Sequence, residues 1–423
     1  MPDIKSFPAL LYNPRKVALD EVVAPPYDVI SARQQDELHQ RSPYNVIRLI
    51  LGLGENRYEN AARDLERWIR ERVVVADSRP SLYAVSQRFA LPGGTMVERY
   101  GFIGACKLTE FGKGSIYPHE RTHSKPKEDR LQLFQATHTM FSQIFAMYAD
   151  PEGRIDRHLE VVMNNPPIGE ADFEGIRNRL WRIDDQRIAF AIEEHIHRQR
   201  VFVADGHHRY ETALVYCNSR RMQNPNHTGK EAYNFVPMFF ANMNNPGLVV
   251  LPTHRLIHSL PEFNGTRFLT DLRGLFDVTS FEYFEQLSQA LSEEKEHAFG
   301  LVLPQIPMFS LLRLKDSRVL EKTGVPTILA QLDVTILHAL VLKDILHLSD
   351  EDEEQKTFLD YEKDVSLAAE AVRSGRVQAA ILMNPTRVEQ VRAVAEAGYV
   401  LPQKSTYFYP KLLSGLVMYS FQG

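Results

Sequence analysis

The spacing of apolar residues predicts a chain that alternates between helices and strands along its whole length. Over 56–73, apolar side chains recur on one face of a helix, and helices are also predicted over 184–199 and 209–222. Over 81–108, two alternating runs flank Leu91-Pro92-Gly93-Gly94, a pattern that is typical of a β-hairpin.

Further apolar runs predict the rest of the architecture. Strands are predicted over 234–243 and 248–257, and a helix near 332–346. Helices and strands are thus mixed without a repeating unit, which predicts an α+β fold in the broad mixed α/β class. We predict three parts: an N-terminal irregular and helical segment, 1–80, that packs on the core; a β-rich core, 81–250; and a C-terminal α/β domain, 251–423, that closes the site.

Composition and charge narrow the class of protein. The 423 residues carry a formal net charge of −5, which argues against a nucleic-acid partner because such a surface should be positive. Cys106 and Cys217 form no CxxC pair, so a zinc ribbon and a disulfide scaffold are disfavoured. We find no signal-peptide pattern and no apolar stretch of about 18 residues, which predicts a cytoplasmic protein without a membrane partner. The oligomeric state is left open.

The stretch VFVADGHHRYETAL, 201–214, brings charged side chains to one turn. A short apolar run ends at Asp205-Gly206 and precedes a helical pattern, which predicts a strand, a turn and a helix. Gly206 permits a tight turn, and the start of the helix offers unpaired N–H groups to a phosphate. Asp205 is a candidate Mg²⁺ ligand and proton acceptor, and Arg209 can bind phosphate through its planar fork.

The two histidines of this turn leave several interpretations open. We expect one of His207 and His208 to face the site as a catalytic or nucleotide-binding group, and the other to pack or to cap the helix. In a purely structural alternative, Asp205 caps the helix and Arg209 pairs with Glu211 at the surface. A double-histidine zinc site is disfavoured, because adjacent residues are poorly spaced to ligate one ion and HExxH is absent.

A charged segment, 116–130, follows a glycine-containing turn and is too poor in apolar residues to be core. We expect a lid whose cations, among them Arg121 and Lys125, clamp the phosphates of a nucleotide. Glu120 is the candidate general base, which takes a proton from a substrate hydroxyl. The alternative is a solvated charged loop.

Near the C-terminus, LPQKSTYFYPKLLSG combines cations, hydroxyls and aromatic rings. Lys404, Ser405 and Thr406 can reach a phosphate or a carboxylate. Tyr407 can stack on a base or seal a substrate pocket, and Lys411 adds charge. The alternative is a terminal strand that its aromatic residues hold in the fold.

The segment APPYDVI, 24–30, places Tyr27 and Asp28 after a rigid Pro-Pro pair. Asp28 can ligate a metal or orient a substrate amine, and Tyr27 can line the substrate site. The alternative is a structural turn anchored by a buried tyrosine. Elsewhere, His254 and Arg255 are expected at a surface strand end, and His338 is expected to be a core histidine.

The DGHHR turn and the helix after it resemble the signature turn of the ParB/sulfiredoxin-like superfamily, and they are closest to the form in free serine kinases. This resemblance implies a β-rich core around the strand, turn and helix, in which the turn holds nucleotide phosphates. It also implies that Asp205 and an upstream glutamate take part in catalysis. Sulfiredoxins carry a catalytic cysteine before the histidine of this turn; Gly206 stands there in this chain, which disfavours a sulfinic-acid reductase.

From end to end, the chain also resembles domain-of-unknown-function family 1015. The resemblance rests on APPYDVI (24–30), HERT…KPKEDR (119–130), ADGHHRYETA (204–213), LDVTILH (332–338) and PQKSTYFYPKL (402–412). It identifies a family and implies no activity.

Together, these patterns predict a phosphotransferase. It would use ATP or ADP with Mg²⁺ to phosphorylate the hydroxyl of a small polar molecule, free serine or a similar amino acid. Two alternatives stay open: a ParB-like nucleotide-binding protein that grips DNA or a partner, and an unrelated lyase or hydrolase in which the histidine pair serves as acid and base.

Overall fold

The structure, a computed structural model, describes residues 1–91, 94–120, 125–304, 306 and 308–422. The chain divides into two compact units. The first comprises Met1–Pro118, Thr122–Val249 and Phe408–Gly423, and the second comprises His119–Arg121 and Val250–Tyr407. The C-terminal tail therefore belongs to the same unit as the strand, turn and helix around Asp205.

Strands occur along the described chain at β1 (Ile4–Lys5), β2 (Leu10–Tyr12), β3 (Val74–Ala76), β4 (Leu82–Ala90), β5 (Met96–Lys107), β6 (Ile116–Tyr117), β7 (Thr139–Met140), β8 (Ile144–Tyr148), β9 (Gly169–Phe173), β10 (Ile176–Ile183), β11 (Val201–Asp205), β12 (Phe235–Asn242), β13 (Val249–Leu251), β14 (His254–Ile257), β15 (Phe276–Phe281), β16 (Ala298–Val302), β17 (Phe309–Leu314), β18 (Leu359–Glu362), β19 (Ala379–Met383), β20 (Tyr407–Tyr409) and β21 (Tyr419–Ser420).

The α-helices are α1 (Leu19–Val22), α2 (Ala32–Arg41), α3 (Ile47–Ile50), α4 (Arg57–Arg70), α5 (Lys125–Thr137), α6 (Arg154–Met163), α7 (Gln186–His197), α8 (His207–Gln223), α9 (Gly265–Leu275), α10 (Phe284–Glu293), α11 (Thr327–Ala330), α12 (Asp333–Ile336), α13 (Asp350–Gln355), α14 (Val365–Arg373) and α15 (Val388–Glu396). Short 3₁₀ helices occur at Tyr27–Val29, Ala232–Asn234 and Ser317–Thr323, and a π-helix spans Leu337–Ile345.

The first unit is built on a large mixed sheet with the strand order β6-β11-β8-β12-β5-β4-β10-β9, in which β1 also pairs with β5. The predicted hairpin is confirmed as the antiparallel pair β4 and β5, although Pro92 and Gly93 of its turn lie outside the described residues. β12 is buried along its whole length, which explains its continuous apolar sequence. β11 runs parallel to β6 and antiparallel to β8, so the strand that carries Asp205 is held on both sides.

The helices predicted in this unit are found, with changes at their ends. α4 buries Ala61, Leu65 and Trp68 on one face, as the apolar spacing predicts. α7 lies inside the range predicted for it. α8 begins at His207 instead of 209, because Gly206 makes the whole turn by itself in a left-handed conformation.

The second unit has a separate sheet, in the order β15-β17-β16-β19-β14-β18. The strand predicted over 248–257 is interrupted and forms β13 and β14, since Pro252 has no N–H to donate to a sheet partner. The helix predicted near 332–346 is α12 followed by the π-helix. Side chains of α10 and α14 pack against the sheet in a buried core that includes Leu287, Leu311, Ala368, Val372 and Leu382.

The predicted mixed α/β class is therefore confirmed, since both units combine a sheet with helices. Within the described residues, no helix combines the length and the apolar character that crossing a bilayer would require.

Candidate active site

The turn after β11 is shaped by one glycine. Gly206 has a φ of +88°, in the left-handed region that side chains with a Cβ rarely adopt. A Cβ at this position would lie 3.0 Å from the Arg209 Nη2 atom. Gly206 thus lets α8 begin directly after the strand and lets the Arg209 guanidinium fold back over the turn.

Asp205 lies at the centre of an ion cluster in the first unit. Its Oδ2 accepts a hydrogen bond from Arg209 Nη2 at 2.8 Å, and its Oδ1 accepts one from Lys411 Nζ at 2.5 Å. The Asp205 and Lys411 side chains keep 18% and 13% of their surface exposed, so the pair is mostly buried but retains some contact with solvent. Burial by itself would raise the pKa of Asp205, but the charges of Lys411 and Arg209 outweigh it and hold that pKa well below its usual range.

Arg209 is fixed by a second contact, because its Nη1 atom also donates to the carbonyl oxygen of Gln143. The structural alternative, in which Arg209 pairs with Glu211, is wrong: Glu211 instead forms an ion pair with Lys127, with an N···O distance of 2.5 Å. Arg209 is buried, with 6% of its side chain exposed. Its guanidinium group is therefore fixed in position beside the turn.

The segment that carries Lys411 is held in place by Arg99, a residue of β5. Arg99 is fully buried and donates to the backbone carbonyl oxygens of Tyr409 and Pro410, and to the side chain of Gln87. Burial lowers the pKa of Arg99 to about 9, and the negative charge of Asp205 opposes that shift. Arg99 thus stays mostly cationic near neutral pH and adds to the positive field at the cluster.

Lys411 and Arg99 are the residues that sequence reasoning missed. Lys411 was expected only to add charge, and Arg99 lies in an alternating strand where nothing marks it as a site residue. The one available signal is the position of Lys411 directly after Tyr-Pro, in a tail that is rich in aromatic residues. Its partner could not be predicted, since the two residues are 206 positions apart in the sequence.

The two histidines occupy the first turn of α8. His207 is buried, and its charge in the protonated form would lower the pKa of Asp205 further. His208 is partly buried, and its backbone oxygen accepts a hydrogen bond from Thr212 Oγ1 at 2.7 Å. Neither belongs to the group of described side chains that has metal-ligand spacing, so the zinc alternative gains no support.

Tyr27 also lies at this cluster. The Arg130 guanidinium carbon is 4.2 Å from the centre of the Tyr27 ring, and Tyr27, Arg130 and Arg209 line one small cavity. Burial, assisted by the negative charge of Asp28, raises the pKa of Tyr27 to about 12. Asp28 itself is exposed in the 3₁₀ turn. Tyr27 therefore lines a cavity together with Arg209 of the turn, and its role in binding substrate stays a prediction.

Other predicted site residues belong to the second unit. Residues 119–120 lie beside Leu401, whose N–H donates to the His119 oxygen at 2.7 Å. Glu120 Oε1 accepts from the backbone N–H of Lys404 at 3.0 Å, and the His119 ring is 2.8 Å from Thr406 Oγ1. Glu120, Lys404 and Thr406 thus form a cluster of their own.

The remaining residues of that cluster have local partners. Ser405 Oγ donates to the Pro402 oxygen, and Lys363 Nζ lies 4.0 Å from the centre of the Tyr407 ring. Arg121 lies outside the described residues, as does the side chain of Lys125. His254 and Arg255, expected at the surface, are buried with 2% and 4% of their surface exposed, because β14 lies between two other strands.

Asp205 was also predicted to ligate Mg²⁺. Each of its carboxylate oxygens already accepts a hydrogen bond from a cationic group, and an ion would have to displace Lys411 or Arg209. A protein Mg²⁺ site usually needs more oxygen ligands or a bound phosphate. These residues therefore do not fit a resident Mg²⁺ ion.

A larger open cleft of about 560 Å³ lies elsewhere in the first unit and contains none of the predicted site residues. Its lining is rich in arginine: His39, Arg48, Gly52, Leu53, Asn60, Arg63, Asp64, Glu66, Arg67 and Arg70.

Comparison with known protein families identifies one family that matches the chain. The family described as "Protein of unknown function (DUF1015)" matches residues 4–335. The chain belongs to this family. The family resemblance noted in the sequence is thus confirmed over residues 4–335, and the motif at 402–412 lies beyond the matched range. No curated protein matches this DUF1015 member significantly.

Among solved structures, this DUF1015 member is similar to a conserved hypothetical protein from Pyrococcus furiosus, with 14% identity, a TM-score of 0.34, and coverage of 70% of this chain and 90% of the other. It is also similar to free serine kinase in complex with AMP, with 13% identity, a TM-score of 0.36 and coverage of 70% and 86%. A third is SbnI with a C-terminal truncation from Staphylococcus aureus, with 11% identity, a TM-score of 0.35 and coverage of 71% and 82%. Likenesses this loose say nothing about the chemistry of this chain.

Proposed function

We propose that this protein is a nucleotide-dependent kinase that phosphorylates the hydroxyl of a small molecule, free serine or a similar amino acid. The observation that carries the proposal is the pairing of Asp205 with both Lys411 and Arg209 at the start of α8. Two cations meet one carboxylate, and the buried Arg99 adds a third positive charge nearby. The cluster therefore has a net positive charge and suits an anionic ligand.

The helix start strengthens this preference for anions. α8 is 17 residues long, and the positive end of its dipole lies at the turn beside Asp205. The positive end of a helix dipole favours a bound phosphate. Arg209 can add a forked, charge-assisted contact, and Lys411 a compact one.

The ion pairs of Asp205 with Lys411 and Arg209, which keep its pKa well below the usual range, support a positioning role. A carboxylate that stays ionised far below neutral pH is a weak proton acceptor, so we assign Asp205 to positioning Lys411 and Arg209. Phosphoryl transfer depends mainly on such positioning and on stabilising the charge of the transferred group. The reaction is attack of the substrate hydroxyl oxygen on the terminal phosphorus of the nucleotide, with cleavage of the bond to the leaving phosphate oxygen.

The hydroxyl proton must pass to a base, and Glu120 keeps that role in the proposal. The assignment comes from the sequence resemblance, since Glu120 belongs to the second unit. It needs a separate test from the Asp205 cluster.

The deciding experiment is a transfer assay, followed by ³¹P NMR, with ATP or ADP as donor and with serine, threonine and homoserine as acceptors, with and without Mg²⁺. We expect phosphorylation of one acceptor, and a loss of at least about 100-fold in kcat for Asp205→Asn. The same variant should bind nucleotide no more weakly than the wild type, because a negative charge is removed beside two cations. Full activity of Asp205→Asn, or no transfer with any pair, would contradict the proposal.

Glu120→Gln tests the base. The amide keeps the size of the side chain and can still accept the Lys404 N–H, so nucleotide affinity should not change while kcat falls at least about 100-fold. If Glu120→Gln retains its kcat while Asp205→Asn loses it, the Asp205 site stands and the base lies elsewhere.

A further inference from the structure

A second group of ionisable side chains lies in the second unit, apart from the residues assigned above. His338 belongs to the π-helix, and Asp350 and Glu353 belong to α13. His338 Nδ1 is 2.9 Å from Glu353 Oε2, and His338 Nε2 is 3.6 Å from Asp350 Oδ1. One potential ligand atom from each residue lies within 4.8 Å of the others.

Local structure fixes the helices that carry these three residues. Ser349 caps α13 reciprocally: its Oγ accepts the Asp352 N–H, and the Asp352 carboxylate accepts the Ser349 N–H. Residues three apart share one face of a helix, so Asp350 and Glu353 project together. π-helical turns are uncommon and often occur at functional sites, and here one carries His338.

An unpaired carboxylate oxygen of Glu353 is independent evidence that this group binds a further ligand. Its Oε1 atom is fully buried and has no hydrogen-bond partner within the described part of the chain. A buried carboxylate oxygen without a partner is costly, and such atoms call for an unseen water or ion. His338 Nδ1 lies 2.9 Å from the other carboxylate oxygen, Oε2, and so does not satisfy Oε1.

We propose that His338, Asp350 and Glu353 bind a divalent transition-metal ion such as Zn²⁺ or Mn²⁺. One imidazole nitrogen and two carboxylate oxygens form a donor set that these metals accept. Mg²⁺ and Ca²⁺ prefer oxygen ligands throughout and should bind more weakly. Three protein ligands leave coordination positions open for water or a further ligand.

Lys343 makes the proposal sharply testable. Its Nζ atom lies 2.6 Å from Asp350 Oδ1, so it neutralises the carboxylate that the metal would take. Metal and lysine therefore compete for Asp350. Removing the lysine charge should tighten metal binding, whereas a set of ordinary ion pairs would gain no affinity for metal from the same change.

The test is isothermal titration of the chelator-treated full chain with Zn²⁺ or Mn²⁺ alone, with bound metal counted by elemental analysis. We expect Glu353→Gln and His338→Asn each to weaken one stoichiometric site at least about 10-fold, and Lys343→Gln to tighten it at least about 3-fold. Glu351→Gln is the matched control, because Glu351 lies on the same short helix, is exposed and accepts a hydrogen bond from the Gln355 side chain.

Lys343→Gln is expected to gain affinity, so it keeps the test valid if another variant unfolds, provided that circular dichroism shows Lys343→Gln to be folded. The proposal is overturned if neither the wild type nor Lys343→Gln binds these metals at 1:1 stoichiometry, or if Glu353→Gln and Glu351→Gln bind them equally well. Since the readout is metal binding, failure of the kinase proposal would leave this result unaffected.

Discussion

Lys411 lies 206 positions after Asp205 in the sequence, and its Nζ atom is 2.5 Å from Asp205 Oδ1. The C-terminal tail thus returns to the first unit and completes the ion cluster at the start of α8. The carboxylate and its two cations depend on one another: without both cations, burial would dominate and raise the pKa of Asp205.

Lys411→Met should weaken the binding of ATP or ADP at least about 10-fold, because it removes one of two cations at the proposed phosphate site. It should also lower the free energy of unfolding by about 2 kcal/mol, since one partner of a mostly buried ion pair is lost. Titration calorimetry and urea unfolding measure the two effects. Lys230→Met, at an exposed lysine of the same unit, is the control and should change neither by a measurable amount. Nucleotide affinity equal to that of the wild type would rule out Lys411 as a phosphate ligand.

Gly206→Ala should reduce stability and nucleotide affinity more than Gly229→Ala does, although both variants replace a glycine with positive φ. The φ values are +88° and +82°, so the backbone strain of about 1–2 kcal/mol should be similar. Only at Gly206 does the new Cβ meet another group, the Arg209 guanidinium at 3.0–3.1 Å; at Gly229 nothing lies within 4 Å.

We therefore expect Gly206→Ala, unlike Gly229→Ala, to lose nucleotide binding as well as stability. Urea unfolding and nucleotide titration of both variants make the comparison. If the two variants lose equal stability and both keep their nucleotide affinity, the position of the Arg209 guanidinium does not depend on the absence of a Cβ at Gly206.

Individual helices and strands could be predicted because the spacing of apolar residues along the sequence reflects which side chains are buried. The apolar face of α4 follows from which side chains contact the core, and the hairpin of β4 and β5 was predicted from its two apolar runs, although both strands are buried over most of their length instead of on alternate residues. The turn at Asp205-Gly206 was predicted because only glycine makes such a bend easily. The break at Pro252 was missed, since an apolar run alone does not show where backbone donors are needed.

Within the ion cluster, only the residues that are neighbours in sequence were predicted together. Asp205, Gly206 and Arg209 share one turn, but Lys411 and Arg99 join it through tertiary contacts that leave no periodic signal. The sequence also suggested that the loop with Glu120 and the segment with Lys404 serve one site. They do contact each other, in the second unit, through a hydrogen bond between backbone and side chain.

Arg99 is fully buried, so we expect its effect on nucleotide binding to come mainly from positioning Lys411 and not from its own charge. It holds the carbonyl oxygens of Tyr409 and Pro410, the residues just before Lys411. Arg99→Met should therefore weaken nucleotide binding about as much as Lys411→Met, and the double variant should be no weaker than Lys411→Met alone.

Nucleotide dissociation constants for the wild type, the two single variants and the double variant form the required cycle. Losses that multiply in the double variant would show that Arg99 acts independently of Lys411. Arg99→Met should also lose about 1–3 kcal/mol of stability, because buried carbonyl oxygens lose their donors; circular dichroism confirms that the variant is folded before it is titrated.

His254 should make the second unit sensitive to mild acid. Burial, assisted by the charge of Arg255, lowers the pKa of this histidine to about 4, against 6.5 for an unperturbed side chain. Its Nδ1 atom accepts the Met383 N–H, so the neutral ring fits the fold. Above pH 6.5 neither the folded nor the unfolded chain is protonated here. As the pH falls from 6.5 to 4, His254 takes up a proton in the unfolded chain but not in the folded chain. The free energy of unfolding therefore falls by about 1.4 kcal/mol per pH unit.

At pH 5 the loss attributable to His254 should thus be about 2 kcal/mol. His254→Asn removes the titrating group and keeps an oxygen that can accept the Met383 N–H. Urea unfolding of both proteins between pH 7.5 and 4.5 gives the difference in stability, in which the other ionisable groups cancel. The wild type should lose stability relative to His254→Asn throughout the range below pH 6.5, while the depressed pKa of Asp205 affects stability only below about pH 4. A difference that stays constant over this range would mean that His254 is protonated as easily in the folded chain as in the unfolded one.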